Sequence, residues 1–241
     1  MKKHRSSQFL AICTAAVLAL SVPAWASQVS ITPLDTGNTT SSQSQSGASE
    51  PSTAQNTSGQ TVDISSITKP TVASQGAVLL NAADGSVLFS KNGDTTYYPA
   101  SITKLMTALL VAENCNLDDT VTFSATATTN LESGAVSIGM AEGDTMTVRQ
   151  CLYALLLKSA NEVGNALAEH VAGSNAAFAE KMNAKAASLG CTNTHFANPH
   201  GLNDPNHYTT PHDMALIARA AFANDIVKTV ASTRTYTLPS T

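Results

Sequence analysis

Ser101 and Lys104 are the first residues in this 241-residue sequence whose types and spacing could do chemistry together. They open a segment that an apolar stripe predicts to be helical and buried on one face, and residues at i and i+3 lie on one face of a helix. The stripe consists of Ile102, Leu105, Met106, Leu109 and Leu110. A serine hydroxyl becomes a good nucleophile when a base takes its proton, and a lysine can be that base where burial lowers its pKa. The amide of Ser101, at the helix N-terminus, is a candidate oxyanion donor. The pair predicts nucleophilic catalysis; the alternative is a helix-capping serine beside a solvated lysine.

A second polar group, Ser159-Ala160-Asn161, interrupts the apolar run that ends at Leu157. We expect it to lie in a break between two helices, where its side chains could project into a cleft. Ser159 could then relay a proton and Asn161 could bind a substrate amide. Taken alone, the group also fits an ordinary turn between helices.

The elements that must position these residues follow from apolar periodicity and turn signals. Two short strands, 75–81 and 86–90, are predicted to form a hairpin around Asp84-Gly85, the strongest turn signal in the chain. The other predicted elements are a helix over 101–113, irregular structure with short strands over 117–146, a helix from the capping box at Thr147 through Leu157, and helices over 162–172 and 174–190. A last helix begins at Thr210-Pro211.

Three segments together resemble the low-molecular-mass penicillin-binding proteins that act as D-Ala-D-Ala carboxypeptidases. They are residues 98–104 (Tyr-Pro-Ala-Ser-Ile-Thr-Lys), 157–161 (Leu-Lys-Ser-Ala-Asn) and 196–202 (Phe-Ala-Asn-Pro-His-Gly-Leu), in that order. The resemblance runs from about Lys69 to the end of the chain. It implies an α/β fold of the serine β-lactamase and penicillin-binding-protein type, with an antiparallel sheet flanked by helices and a helical subdomain.

The same resemblance implies the roles of the site residues. Ser101 would attack the penultimate D-Ala carbonyl of a peptidoglycan stem peptide, with Lys104 as general base. Ser159 would pass protons between Lys104 and the leaving amine, and Asn161 would bind the substrate and hold Lys104 in place. A β-lactam would acylate Ser101 and leave slowly. No metal and no cofactor are expected.

The sequence departs from the family pattern in its last part. The family carries a third motif, Lys-Thr-Gly, on a later strand, and here the nearest match is Lys228-Thr229-Val230, at a predicted helix end. We therefore expect the C-terminal strands of the sheet to be missing and the hairpin to keep an exposed edge. A fragment of a longer reading frame is the favoured explanation; a natural truncation is the alternative.

Rival functions remain open within this fold. A serine β-lactamase would usually have Ser-Asp-Asn in the second motif and a downstream glutamate, and no glutamate follows Gly190. A peptidoglycan endopeptidase uses the same chemistry. A cell-wall-binding relative that has lost turnover is the non-enzymatic alternative.

The N-terminus indicates an exported protein. Residues 1–26 have a basic start, an apolar stretch from Phe9 to Val22 and an Ala-Trp-Ala cleavage site, as in a secretory signal peptide. An uncleaved anchor is the alternative, although the stretch is short for a membrane span. Residues 27–66, rich in Ser, Thr and Gln, are predicted to be a disordered linker. Residues 67–241 are predicted to form the incomplete catalytic domain.

The net charge and the positions of the cysteines and histidines argue against nucleic acid and zinc as partners. The net charge is −4 and becomes more negative without the basic residues of the signal, so nucleic acid is not an expected partner. Cys115, Cys151 and Cys191 are predicted to be core residues with at most one disulfide. Four histidines lie within a short stretch, but their spacing does not fit a zinc site; they are His195, His200, His207 and His212.

Overall fold

The structure is a computed structural model that describes residues 69–129 and 131–238. It also describes the backbone of two short antiparallel strands, β1 (Ala54–Gln55) and β2 (Thr61–Val62). The predicted signal peptide lies outside the described residues, as does the predicted linker apart from these two strands. The proposed boundaries at 26 and 66 stay predictions.

An antiparallel hairpin opens the main domain, as predicted. Strands β3 (Ala77–Leu80) and β4 (Val87–Lys91) pair with Ala77 opposite Lys91, and the turn between them contains Gly85 at φ +81°. The Arg219 side chain fixes this turn by donating to the carbonyl oxygens of Ala82 (2.8 Å) and Ala83 (3.0 Å).

The segment after the hairpin starts differently from the prediction. A 3₁₀ turn (Ala100–Thr103) holds Ser101, and the helix proper, α1 (Lys104–Asn114), begins at the lysine. Ile102, predicted to belong to the buried stripe, is 50% exposed because the 3₁₀ turn rotates it away from the core. Met106, Leu109 and Leu110 are buried as predicted.

Residues 117–146 contain the expected short strands and one helix that periodicity did not predict. Strands β5 (Thr120–Thr122) and β6 (Thr145–Thr147) pair antiparallel. Between them, α2 (Ala125–Thr128) is a single turn capped by Ser124. A helix of one turn is too short to show an apolar stripe, so pattern reasoning could not detect it.

The predicted capping box is present and opens α3 (Val148–Tyr153): Thr147 accepts from the Gln150 amide, and the Gln150 side chain accepts from the Thr147 amide. The chain then widens into a π-helical turn (Ala154–Lys158) and breaks at Ser159. It continues in α4 (Asn161–Ala172) and α5 (Asn175–Ser188), which is capped by Ser174. The predicted break between two helices is therefore confirmed.

Helices α6 (Pro211–Ala223) and α7 (Asp225–Ala231) complete the described domain. Thr210 caps α6 by accepting from the Asp213 amide, as its sequence predicts. Helix α1 packs against α4, α5, α6 and α7, so its buried face forms the centre of the core. The nearest match to the third motif begins at Lys228. This residue lies in the last turn of α7 rather than on a strand.

The hairpin remains a two-stranded sheet within the described residues, with Leu79, Val87 and Leu88 exposed. One of its strands, β3, faces α6 across a cavity of about 650 Å³ whose lining includes Val78, Leu80 and Phe222. Every helix in the described ranges falls short of the length and apolar character needed to cross a membrane.

The three cysteines of the described part are free thiols, so the structure contains no disulfide among them. Cys151 and Cys191 are buried, and burial raises the pKa of each thiol to about 12. They act as small core residues, as the sequence predicts.

Candidate active site

Lys104 lies at the centre of the site, and its side chain is only 2% exposed. Its Nζ donates to the Asn161 Oδ1 at 2.9 Å and to the His200 carbonyl oxygen at 2.7 Å. The Ser101 Oγ lies 3.3 Å from the same nitrogen. The interpretation of Lys104 as a solvated surface residue is therefore wrong.

These three neighbours determine where the lone pair of a neutral Lys104 points. The oxygens of Asn161 and His200 can only accept, so each takes one amine hydrogen. The remaining direction around the nitrogen, which the lone pair occupies, points to the Ser101 hydroxyl, and that hydroxyl can donate a hydrogen bond. Deprotonated Lys104 thus has its lone pair directed at the hydroxyl from which a general base would remove the proton.

Burial also makes this amine easier to deprotonate. Desolvation lowers the pKa of Lys104 to about 8, and the negative charge of Glu162 opposes that shift. A substantial fraction of the amine is therefore neutral in weakly alkaline solution.

Ser101 is exposed, and tight backbone packing fixes its position. The preceding residue, Ala100, has the left-handed φ of +50°. Gly201 (φ +87°) lies directly against the Ala100 carbonyl, and a Cβ at this glycine would overlap that oxygen. Only glycine can occupy this position without displacing the turn that carries Ser101.

The two polar residues of the second motif, Asn161 and Ser159, differ in burial and in hydrogen bonding. Asn161 is 3% exposed, and both its backbone amide (3.0 Å) and its Nδ2 (2.9 Å) donate to the Val136 carbonyl. Ser159 has a left-handed φ of +63° and is half-buried. In the part of the chain that the structure describes, the Ser159 side chain has no hydrogen bond to Ser101 or Lys104. The structure therefore brings Ser101, Lys104 and Asn161 into contact, and Ser159 takes no part in the hydrogen bonds that join them.

The loop over 196–207, which contains the third segment of the resemblance, is fastened to α1. Thr107 donates to the Pro199 carbonyl at 2.6 Å, which sets the adjacent His200 carbonyl over Lys104. His207 accepts at Nδ1 from the Ala197 amide (3.1 Å), so its Nε2 carries the hydrogen and donates to the Thr103 hydroxyl (2.8 Å).

The histidines of this region form hydrogen bonds with different groups rather than with a common one. Nδ1 of His200 accepts from the Leu202 amide, and Nδ1 of His195 contacts the Asn206 carbonyl. Desolvation lowers the pKa of His200 to about 3 and that of His207 to about 4. No group of three or more His, Cys, Asp or Glu side chains arranged to hold a metal occurs in the described ranges.

Sequence reasoning missed two contributors to this site. The His200 carbonyl is a backbone group, and no side-chain pattern reveals it. Glu162 follows Asn161 directly and is 1% exposed, although a glutamate in the first turn of a helix usually faces solvent. Its position next to the second motif was the available signal.

Comparison with known proteins identifies the family. Residues 63–239 match the sequence model of the D-alanyl-D-alanine carboxypeptidase family. The chain belongs to this family. The resemblance carried by the three segments is thereby confirmed.

Curated relatives in the family are between 32% and 39% identical to this chain. A D-alanyl-D-alanine carboxypeptidase from Streptomyces sp. is 39% identical over 183 residues, which cover 71% of this chain and 62% of the relative. DacF from Bacillus subtilis is 38% identical over 150 residues, covering 60% of this chain and 38% of the relative. The chain thus spans less than two thirds of the length of these relatives.

Solved structures confirm the predicted fold class. A D-alanyl-D-alanine carboxypeptidase from Mycobacterium tuberculosis superposes with a TM-score of 0.67 at 32% identity, over 73% of this chain and 66% of that one. DacD from Francisella tularensis gives a TM-score of 0.65 at 32% identity, over 71% of this chain and 42% of that one. The matched part of this chain therefore has the same fold as the corresponding part of these carboxypeptidases.

Proposed function

We propose that this chain carries the acylating centre of an exported serine D-Ala-D-Ala carboxypeptidase. The hydrogen bonding of Lys104 supports this most strongly, because a buried amine with two fixed acceptors directs its lone pair at Ser101. Membership of the D-alanyl-D-alanine carboxypeptidase family supports peptidoglycan stem peptides ending in D-Ala-D-Ala as the substrate class. The signal peptide at 1–26 would deliver the protein to that substrate outside the cytoplasm.

The reaction proceeds in two acyl transfers. The Ser101 Oγ attacks the penultimate D-Ala carbonyl as Lys104 takes its proton, and the amide of Ser101 would stabilise the oxyanion. The C–N bond then breaks, and the terminal D-Ala amine receives the proton from Lys104 by way of Ser159. Water, deprotonated by Lys104, attacks the ester and frees Ser101. Asn161 keeps Lys104 oriented throughout and binds the substrate amide.

The same centre would react with β-lactams. Opening of the lactam ring transfers the acyl group to Ser101 by the same proton movement, and slow hydrolysis would leave the enzyme blocked. Ala160 stands where a β-lactamase usually has Asp, and no glutamate follows Gly190, so fast β-lactam hydrolysis is not proposed. An endopeptidase would share the acylation step and differ only in the peptide cleaved.

A transpeptidase differs only in its acceptor. A Streptomyces structure described as a DD-transpeptidase is 35% identical to this chain, with a TM-score of 0.65. Transfer of the acyl group to an amine instead of water would be the second candidate function.

Labelling with a fluorescent penicillin tests the proposal. We expect a covalent adduct on the chain, retained on a denaturing gel and placed on Ser101 by mass spectrometry, and no adduct on Ser101→Ala. An unlabelled but folded wild-type chain would contradict the proposed centre and favour a non-catalytic wall-binding role.

Substrate assays separate the candidate reactions. We expect release of D-Ala from a peptide ending in D-Ala-D-Ala and no release of L-Ala from one ending in D-Ala-L-Ala. Added amine acceptors would yield a new peptide product if transpeptidation operates. Cleavage of cross-linked peptides without release of terminal D-Ala would identify an endopeptidase instead.

A further inference from the structure

Glu162 is a buried acid that takes no direct part in the proposed acyl transfers. Its side chain is 1% exposed and lies in the first turn of α4, next to Asn161. Its Oε1 accepts from the Ser137 hydroxyl (2.6 Å) and from the amides of Ile138 (2.6 Å) and Gly139 (3.2 Å). Its Oε2 is buried and finds no partner among the described residues. Such burial of a carboxylate is costly, which suggests a specific role.

The loop that Glu162 holds is the one that orients Asn161. The Val136 carbonyl, just before the three donors, accepts from both the backbone amide and the Nδ2 of Asn161. This contact fixes Nδ2 toward the loop and therefore directs Oδ1 toward Lys104. A flipped amide would put hydrogen donors against the amine and leave Lys104 without one of its two fixed acceptors.

Glu162 also acts on Lys104 through charge. Desolvation lowers the pKa of Lys104, and the negative charge of Glu162 partly offsets that shift, which leaves the pKa at about 8. The other titratable groups around Lys104 are His200, whose carbonyl accepts from it, and His207, which donates to the hydroxyl of the neighbouring residue Thr103. Because the pKa values of both imidazoles lie at about 4 or below, both are neutral where Lys104 titrates.

We propose that Glu162 is the positioning residue for Lys104, because it fixes the loop that orients the Asn161 amide and supplies the acidic charge that acts on the buried amine. The proposal rests on the proposed role of Lys104 as general base. It assigns Glu162 two separable effects, one on geometry and one on charge.

The charge effect can be measured without turnover. In the full chain with ¹³C-labelled lysines, the ε-methylene NMR signal of Lys104, assigned with Lys104→Met, is titrated against pH. In Glu162→Gln we expect the midpoint to fall by about half a pH unit or more, because the opposing charge is gone. Glu169→Gln is the matched control. Glu169 is on the same helix and also accepts from neighbouring hydroxyls, but these belong to Ser124 and Thr126, in α2 and its cap. We expect it to leave the midpoint unchanged.

The geometric effect is read from acylation. Glu162→Asp keeps the charge but withdraws the carboxylate from Ser137 and Ile138. We expect its Lys104 midpoint to stay near that of the wild type, while the rate of penicillin acylation at high pH falls at least tenfold. If Glu162→Gln does not fold, Glu162→Asp still tests the proposal.

The outcomes distinguish this proposal from the proposed function. An unchanged Lys104 midpoint in folded Glu162→Gln, or wild-type acylation by Glu162→Asp, would overturn the role of Glu162. A shifted midpoint in a chain that penicillin does not acylate would support the charge effect and contradict the proposed function instead.

Discussion

At the scale of single residues, Lys104 shows how neighbours decide the chemistry of a common side chain. The same lysine on a solvated face would be a cation with an ordinary pKa near 10.5. Here burial, two carbonyl-type acceptors and one hydroxyl make it a base directed at Ser101. This arrangement can be tested by substitution and by pH.

Lys104→Arg should strongly slow acylation while retaining a positive charge, because a guanidinium does not deprotonate in proteins. We expect the second-order rate of penicillin acylation to fall by roughly 100-fold or more, the usual contribution of a general base. Stopped-flow or gel labelling measures this rate. Lys181→Arg, on an exposed position of α5, is the control and should label like the wild type.

Acylation by the wild type should depend on pH through Lys104. Only the neutral amine accepts a proton, and its pKa is about 8, so the rate should rise about tenfold per pH unit below that value and level off above it. Rates measured between pH 6 and 10 test this. A rate that does not change across pH 7–9 would contradict Lys104 as the base.

At the scale of elements, two irregular segments position the residues that react. The 3₁₀ turn before α1 presents Ser101, and the π-helical turn before α4 ends in the left-handed Ser159. The loop over 196–207 packs on the first of these segments through Gly201 and covers Lys104 through the His200 carbonyl. Departures from regular helix thus coincide with the site.

Gly201→Ala should lower the free energy of unfolding by more than the penalty for placing alanine in a left-handed backbone conformation. Gly190 has nearly the same φ (+85° against +87°), but a Cβ there would meet nothing within 4 Å, whereas at Gly201 it would clash with the Ala100 carbonyl. We expect Gly190→Ala to lower the free energy of unfolding by about 1–2 kcal/mol and Gly201→Ala to lower it by more and to reduce acylation. Urea unfolding and penicillin labelling of both variants check this; equal losses of stability would show that the clash is relieved cheaply.

At the scale of the whole molecule, buried neutral groups couple stability to pH. His200 and His207 are 9% and 2% exposed, and their pKa values are lowered to about 3 and about 4 from 6.5. Below pH 6.5 the unfolded chain therefore binds protons that the native chain does not. Stability should be lost as pH falls through this range.

This linkage predicts a measurable difference between the wild type and His207→Gln, which keeps a donor for Thr103. From pH 7 to pH 5 each histidine should cost the wild type roughly 2 kcal/mol of unfolding free energy. His207→Gln should therefore lose about 2 kcal/mol less than the wild type over that interval, whatever its stability at pH 7. Urea unfolding at the two pH values measures this. His170→Gln, at an exposed position on α4, should lose as much as the wild type.

The sequence by itself determined the hairpin and the capped helices, and its resemblance to the family predicted that Ser101, Lys104 and Asn161 belong to one site. Capping residues, turn residues and apolar stripes act locally, so Thr147, Ser174 and Thr210 mark helix starts through their immediate neighbours in the chain. The motif spacing likewise placed Ser101 beside Lys104, one turn apart.

Only the tertiary structure decided how the site works. The chain forms a 3₁₀ turn where the first helical turn was predicted, and Ile102 is exposed. The reason is that Gly201 packs against Ala100 and so determines the backbone conformation of this turn. The tertiary structure also placed the His200 carbonyl and the buried Glu162 around Lys104. These contacts join residues 58 to 96 positions apart in the chain. Local patterns carry no information about them, since long-range packing determines which groups desolvate a lysine and which accept its hydrogens.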